Sequence, residues 1–354
     1  MNKTMKNSTT RQELAFKQDP PADVRHLKSD IAKLQRQLNE EKESRGYLHT
    51  VLGDVMEAIP QCESPKQKPN YQTDKKTLDK TECAHVIHLT DWHIGQITKP
   101  EYIEEFGENN YAIHEARIKT LLEKVIKKTK LQRAAYNVSE AVVIHTGDYV
   151  SGDILQELLT TNEFPTPVAA VKAGFLLGWF LENLSPHFKS VRAHLLTTDN
   201  HGRITKKPQC EDGGLNNWGY VSAHVANQRV RNIKNIDVQI HPTLSQIIRV
   251  GSEKYLTAHG DGILGTWGIP FYGIERKKQR EAMARLNMDE SKKFTKILIG
   301  HFHTGLNHEH WLIGGSLTGT TAYDHKEGRH ARPHQTSWLV HPTHGEFDWT
   351  RWYL

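Results

Sequence analysis

The chain has 354 residues, 37% hydrophobic and 25% charged, with a formal net charge of +5. That balance suits a soluble protein with one large catalytic domain plus extra material, and it permits an anionic partner without demanding one. No apolar run approaches the roughly 20 residues that span a bilayer, and the longest, Val168 to Leu181, is broken by Lys172, Gly174 and Gly178.

The three cysteines, Cys62, Cys83 and Cys210, form no C-x-x-C pair and no even framework, so reduced thiols in a cytoplasmic setting are expected. The first residues carry positive charge without an apolar stretch, so no signal peptide is expected.

Residues 1–22 are polar and aperiodic and read as disordered. Residues 23–60 carry a heptad through Val24, Leu27, Ile31, Leu34, Leu38, Glu41, Arg45, Leu48, Leu52, Val55 and Ile59, ended by Pro60. Nine of these eleven seam positions are apolar, which predicts an amphipathic helix, and the narrow seam favours homo-oligomerisation by coiled coil over packing on a broad core. Residues 61–82, rich in Lys, Gln, Asp, Thr and Pro, read as a tether.

From residue 83 onward strands and helices alternate. Ala84–Leu89, Ala141–Ile144 and Val191–Leu196 read as strands, with helices over 113–135, 167–184 and 217–231. Strands at 236–240, 245–250 and 255–258 follow, then a charged helix over 274–286 and the strand Lys296–Ile299. The remainder, through 311–317, 337–341 and 347–353, is strand-rich. Alternation first and strands later predict two packed sheets with helices outside.

Five of these strands end in metal-competent residues. Asp91 and His93 follow the first, Gly147-Asp148 the second and Asn200-His201 the third; His259-Gly260-Asp261 and His301-Phe302-His303 follow two later ones. Alternate residues of an extended chain point the same way, so a D-x-H pair can grip one cation. Strand ends also collect ligand sites in sheet proteins. Asp, Asn and His donors suit two divalent ions, with Mn first and Fe, Zn or Co as alternatives, rather than a thiolate-bound structural zinc.

The ordered motifs D-x-H, G-D, N-H, H-G-D and G-H-x-H resemble the calcineurin-like metallophosphoesterase superfamily over Ala84 to the C-terminus. A narrower likeness is to phage-encoded members and to the repair-exonuclease and phosphodiesterase branches. The resemblance implies a four-layer α/β/β/α sandwich of two mixed sheets in a domain covering residues 83–354. It implies Asp91, His93 and His303 as ligands of one metal, Asn200, His259 and His301 of the other, and Asp148 between them. His201 then stands outside the ligand set, touching the substrate phosphate or protonating the leaving oxygen. The implied reaction is phosphate-ester hydrolysis by a metal-bound hydroxide, with DNA or a nucleotide leading as the substrate. A phosphomonoesterase, including a phosphoprotein phosphatase, and a metal-binding scaffold with little activity are the alternatives.

One motif departs from the family pattern. Asp199 stands where the family writes Gly, and Gly202 where it writes an acid after the histidine. Asp199 either brings charge towards the metals or faces away, and the orientation of His201 loses its expected partner. Near the site, Arg203 is the candidate phosphate binder, because a guanidinium matches phosphate bidentately, with Lys206 and Lys207 beside it. Asp153 and Asp261 fall close enough to orient ligand histidines, whereas His88 and His145 read as core or supporting residues. Basic runs at Lys124–Lys130 and Arg276–Arg280 either track a nucleic-acid backbone or form solvated faces.

Overall fold

The computed structural model describes residues 31–39, 79–154, 156–264 and 270–354. Residues 31–39 form a helix, α1, belonging to a unit of their own. Its apolar positions Ile31, Leu34 and Leu38 are 52%, 63% and 50% exposed. The rest of the heptad and the N-terminal stretch expected to be disordered lie outside the described residues.

Among the described residues, the second unit contains eleven strands. β1 (Asp79–Leu89), β2 (Tyr136–His145), β3 (Ser190–Leu196) and β4 (Ile236–His241) run parallel in one sheet. Antiparallel β10 (His334–His341) and β11 (Gly345–Tyr353) complete it, in the order β11-β10-β1-β2-β3-β4. The second sheet has the order β5-β6-β7-β9-β8, from β5 (Gln246–Val250), β6 (Glu253–Thr257), β7 (Lys296–Ile299), β8 (Leu306–Asn307) and β9 (Trp311–Ile313). Here β6, β7 and β9 are parallel and both edge strands antiparallel.

Strand alternation builds the layers. From β1, Ala84 and Val86 enter the core between the sheets, together with Val142, Leu196, Ile248, Tyr255, Leu298, Leu312 and Trp338. Trp338 is completely buried there, and its indole N–H donates to Tyr255 Oη at 3.0 Å, which satisfies the one polar atom such burial strands. The opposite parity of β1 sends His85, Ile87 and Leu89 to the helix side, also buried. That side is covered by α2 (Tyr111–Gln132), α4 (Thr166–Leu184) and α5 (Trp218–Val230). The glycines that interrupt the apolar run of α4 lie at its contact with α5. A Cβ on Gly174 would stand 2.6 Å from the Ser222 carbonyl oxygen, and one on Gly178 would stand 2.7 Å from Arg229 Cδ. Both glycines therefore let two helices approach closely.

The outer face of the second sheet packs on α6 (Phe271–Ala284) through Ile274, with Ile263, Ile297, Ile299 and Phe302 around it. Two mixed sheets flanked by helices are therefore observed, as expected. Three details differ. β1 begins at Asp79, inside the stretch read as tether, because pairing with β2 uses backbone groups that polar side chains do not forbid. The run 311–317 stays a strand only to Ile313, where Gly314 and Gly315 follow. Two short helices, α3 (Gln156–Thr161) and α7 (Ala322–Lys326), and the two-residue strand β8 escaped prediction. No helix among the described residues is long and apolar enough to cross a membrane.

Candidate metal centre

The ligand candidates follow β1, β2, β3, β6 and β7. The first three are mutually parallel, as are the last two, so each sheet delivers its motifs to one edge. Hydrogen bonds join the two edges. The His301 N–H donates to Asp91 Oδ1 at 2.9 Å, and His259 Nδ1 donates to the Thr146 carbonyl at 3.0 Å.

Three groups of donors converge: Asp91, His93 and His303; His93, Asp148 and His201; and Asp148, His259 and His301. His93 Nε2 and His303 Nε2 face each other at 3.0 Å, with Asp91 Oδ1 3.8 Å from the first and 3.7 Å from the second. In the other set, Asn200 Oδ1 stands 2.9 Å from His259 Nε2 and 3.1 Å from His301 Nδ1. Asp148 Oδ2 lies between the sets, 3.7 Å from His93 Nε2 and 3.1 Å from His259 Nε2.

The backbone here is bent into an uncommon shape. Asp91, His93, Asp148, His301 and His303 all adopt left-handed conformations, with φ of 51°, 47°, 51°, 70° and 57°. Left-handed backbone costs a non-glycine residue about 1–2 kcal/mol, so five such residues hold several kcal/mol of strain. The surrounding bonds hold them in place. Asp91 N donates to the Gly147 carbonyl at 3.2 Å and His93 N to the Asp148 carbonyl at 3.0 Å.

Donor chemistry tests whether a metal fits. His259 spends its Nδ1 proton on Thr146, so the neutral ring presents a bare Nε2 to two further oxygens. His303 spends its Nδ1 proton on Asp324 Oδ2 at 2.9 Å and presents a bare Nε2 to His93. In their neutral form these rings turn lone pairs onto shared points, and among the described residues no Lys or Arg pairs with Asp91 or Asp148 there. Protons alone can meet that field. Burial lowers the affinity of His259 for a proton, but Asp148 overturns this and drives it well above the ordinary histidine value. His303, lowered by burial and raised by Asp324, reaches about 9. Burial would raise the Asp148 carboxyl, yet His259 and His201 hold it well below the usual range. Divalent cations suit this donor set better than protons, and the clusters can hold two.

His201 lies at the rim. Its Nδ1 donates to the Ser151 carbonyl at 2.7 Å, and its backbone N–H donates to Asp148 Oδ1 at 3.2 Å. A main-chain carbonyl therefore takes the place of the acid missing from position 202. Gly202 itself has no room for a side chain, since a Cβ would stand 2.2 Å from Asn217 Oδ1. Asp199 is turned away from the convergence points. It accepts from Asp148 N at 2.9 Å, Gly202 N at 2.7 Å and Asn217 Nδ2 at 3.0 Å, which braces the loop from behind.

Other expectations meet a mixed outcome. His88 and His145 are fully buried; His88 Nε2 pairs with Thr146 Oγ1 at 3.0 Å, and His145 stacks on Tyr149 at 3.8 Å. Arg203 is held in its own loop, with Nε donating to the Thr205 carbonyl at 3.2 Å. The groups that orient His259, His201 and His303 are Thr146, Ser151 and Asp324, whereas Asp261 is exposed. Asp324 escaped the sequence reading. Its one local signal is Thr321-x-x-Asp324, a capping-box pattern that marks a helix start and says nothing of a distant histidine.

No family model matches the chain, and no curated protein matches it. Among solved structures it is similar to a single mutant of Vps29 from Entamoeba histolytica, at 10% identity and a TM-score of 0.25, covering 76% of this chain and 99% of that one. It is also similar to Vps29 from Chaetomium thermophilum, at 9% identity and a TM-score of 0.26, covering 76% and 95%. Two mixed sheets between helices, with donor clusters for two ions, are the features that the metallophosphoesterase resemblance implies.

Proposed function

We propose that this protein is a calcineurin-like metallophosphoesterase that cleaves phosphodiesters of DNA or nucleotides. One observation carries the reading: Asp148 Oδ2 lies between two donor sets, 3.7 Å from His93 and 3.1 Å from His259, and five of the seven ligand candidates sit on backbone that pays a strain cost. Asp91, His93 and His303 would hold one ion, Asn200, His259 and His301 the other, and Asp148 both. Two divalent ions there supply Lewis acidity towards a phosphoryl oxygen and a lowered water pKa.

The chain's own groups supply the rest. His201 spends Nδ1 on the Ser151 carbonyl, so in its protonated form it offers the Nε2 proton to the leaving oxygen. The preference for diesters is supported by α6, which packs beside the ligand loops through Ile274 against Ile263 and Phe302. Its acids are engaged, Glu275 by the Trp311 indole and Glu281 by Lys277 and Arg285. Arg276 and Arg280 remain exposed on this helix, where they suit a polyanionic substrate.

The test is hydrolysis of bis-p-nitrophenyl phosphate against p-nitrophenyl phosphate, after metal stripping and readdition of Mn²⁺. Metal-dependent diester turnover is expected, abolished in Asp148→Asn and strongly reduced in His201→Gln. Turnover of the monoester alone would favour a phosphomonoesterase. No turnover by protein shown to hold two metals would replace the hydrolase with a scaffold.

A further inference from the structure

We infer that Asp324 is a positioning residue that sets the occupancy of one metal position, that of Asp91, His93 and His303, and leaves the other alone. The inference rests on the dinuclear reading above. The segment between β9 and β10 has no assigned role, yet it grips this half of the centre at two points. Near its start the Leu317 N–H donates to the Asp91 carbonyl at 2.9 Å. Further on, Asp324 Oδ2 accepts the Nδ1 proton of His303 at 2.9 Å.

Asp324 is itself well fixed. It is 2% exposed, and the same Oδ2 accepts from Thr321 Oγ1 at 2.7 Å and Thr321 N at 3.2 Å. The Asp324 N–H returns a bond to Thr321 Oγ1 at 3.1 Å, and the Asp324 carbonyl accepts from Arg329 N at 2.7 Å. One carboxylate oxygen therefore ties the cap of α7 to the histidine ring.

Three consequences follow for His303. When the ring is neutral its proton stays on Nδ1, so the lone pair sits on Nε2, the atom facing His93. The ring is held in one orientation although its side chain is 13% exposed. The neighbouring negative charge makes Nε2 a stronger donor. Among the described residues the second set has no such carboxylate on a histidine Nδ1: His259 leans on the Thr146 carbonyl and His301 Nδ1 faces Asn200. The two positions are thus built with different support, and removing Asp324 acts on one of them.

The experiment titrates metal-stripped, full-length protein with Mn²⁺ and follows free and bound ion by electron paramagnetic resonance, alongside calorimetry. Wild type is expected to bind two ions and to show the exchange-coupled signal of a pair. Asp324→Ala should weaken one of the two sites by about 10–100-fold, the usual cost of losing a ligand's supporting partner, and leave the other unchanged. At Mn²⁺ levels that fill only the tighter site, the coupled signal disappears. Asp324→Asn keeps an acceptor for Nδ1 without the charge and should fall between, which also guards against misfolding of the alanine variant. Thr321→Val loosens the α7 cap and takes one donor from Asp324 Oδ2 while leaving the Asp324–His303 bond, and should weaken that site less than Asp324→Asn does.

Two equal, wild-type affinities in folded Asp324→Ala and Asp324→Asn would overturn the inference and leave the dinuclear reading intact. A loss in Thr321→Val equal to that in Asp324→Ala would likewise overturn it, by showing that α7 acts as a whole. Wild type binding fewer than two ions would overturn the dinuclear reading itself, and the inference with it.

Discussion

Gly152 offers the sharpest test of how His201 is placed. It adopts φ +73°, and a Cβ there would lie 1.8 Å from the His201 carbonyl oxygen, whereas real Cβ contacts essentially never fall under 3.0 Å. In Gly152→Ala the left-handed backbone costs about 1–2 kcal/mol. Relieving the clash moves the His201 backbone by roughly 1 Å, and misplacing a reacting group by that distance costs on the order of 100-fold in rate. The same shift disturbs the Ser151 carbonyl, the one partner of His201 Nδ1. We therefore expect kcat for bis-p-nitrophenyl phosphate to fall about 100-fold while KM moves little, since leaving-group protonation acts in the transition state. Mn²⁺ stoichiometry, measured in parallel, should stay at the wild-type value because no ligand side chain is removed. Gly262→Ala is the control, as a Cβ there meets nothing within 4 Å. A folded Gly152→Ala with wild-type kcat would refute the placement of His201 and with it the role given to its ring.

Further outcomes test other parts of the molecule. Gly202→Asp writes the acid that the family pattern carries, but its Cβ would stand 2.2 Å from Asn217 Oδ1; we expect a loss of about 1–3 kcal/mol in denaturant melts and no gain in kcat, and a stable, faster variant would sink that reasoning. His85 is held near pKa 3, chiefly by burial, against 6.5 for an ordinary histidine. Its stabilisation is therefore complete above pH 6.5 and is lost as pH falls towards 3, when the unfolded chain takes up a proton that the folded one refuses. His85→Gln should consequently lose about 2 kcal/mol less than wild type between pH 8 and pH 5, read from urea melts in EDTA, and equal losses would contradict the burial argument. The exposed stripe of α1 predicts an oligomer in light scattering that Leu34→Asp with Leu38→Asp dissociates while turnover per chain is kept; an unchanged mass in the variant would remove the coiled-coil reading.

Much of the fold was legible because it rests on local periodicity. Ala84, Val86 and His88 alternate with His85, Ile87 and Leu89, which shows a strand buried on both faces before any partner is known. The metal-competent residues were legible for a related reason: each motif is a short strand followed by a polar bend, and parallel strands carry such bends to one edge. The resemblance then supplied an order of ligands that no single motif contains. Residues that mattered through distant contact left no trace of this kind. Asp324 meets His303 across 21 positions, and the Ser151 carbonyl meets His201 across 50.

The departures at positions 199 and 202 show where sequence reading stops. In the sequence, Asp199 and Gly202 are an exchange of acid and glycine with no stated reason. In the fold, Asn217 fills the space that a side chain at 202 would need, and Asp199 holds Asp148 and Gly202 from behind. The sequence by itself determined where the longer strands run, how their faces alternate and which residue types stand at their ends, because those follow from backbone period and side-chain chemistry. Only the tertiary structure decided which donors share a point, which ring nitrogen keeps its proton and which partner orients it, because these depend on distances between segments far apart along the chain.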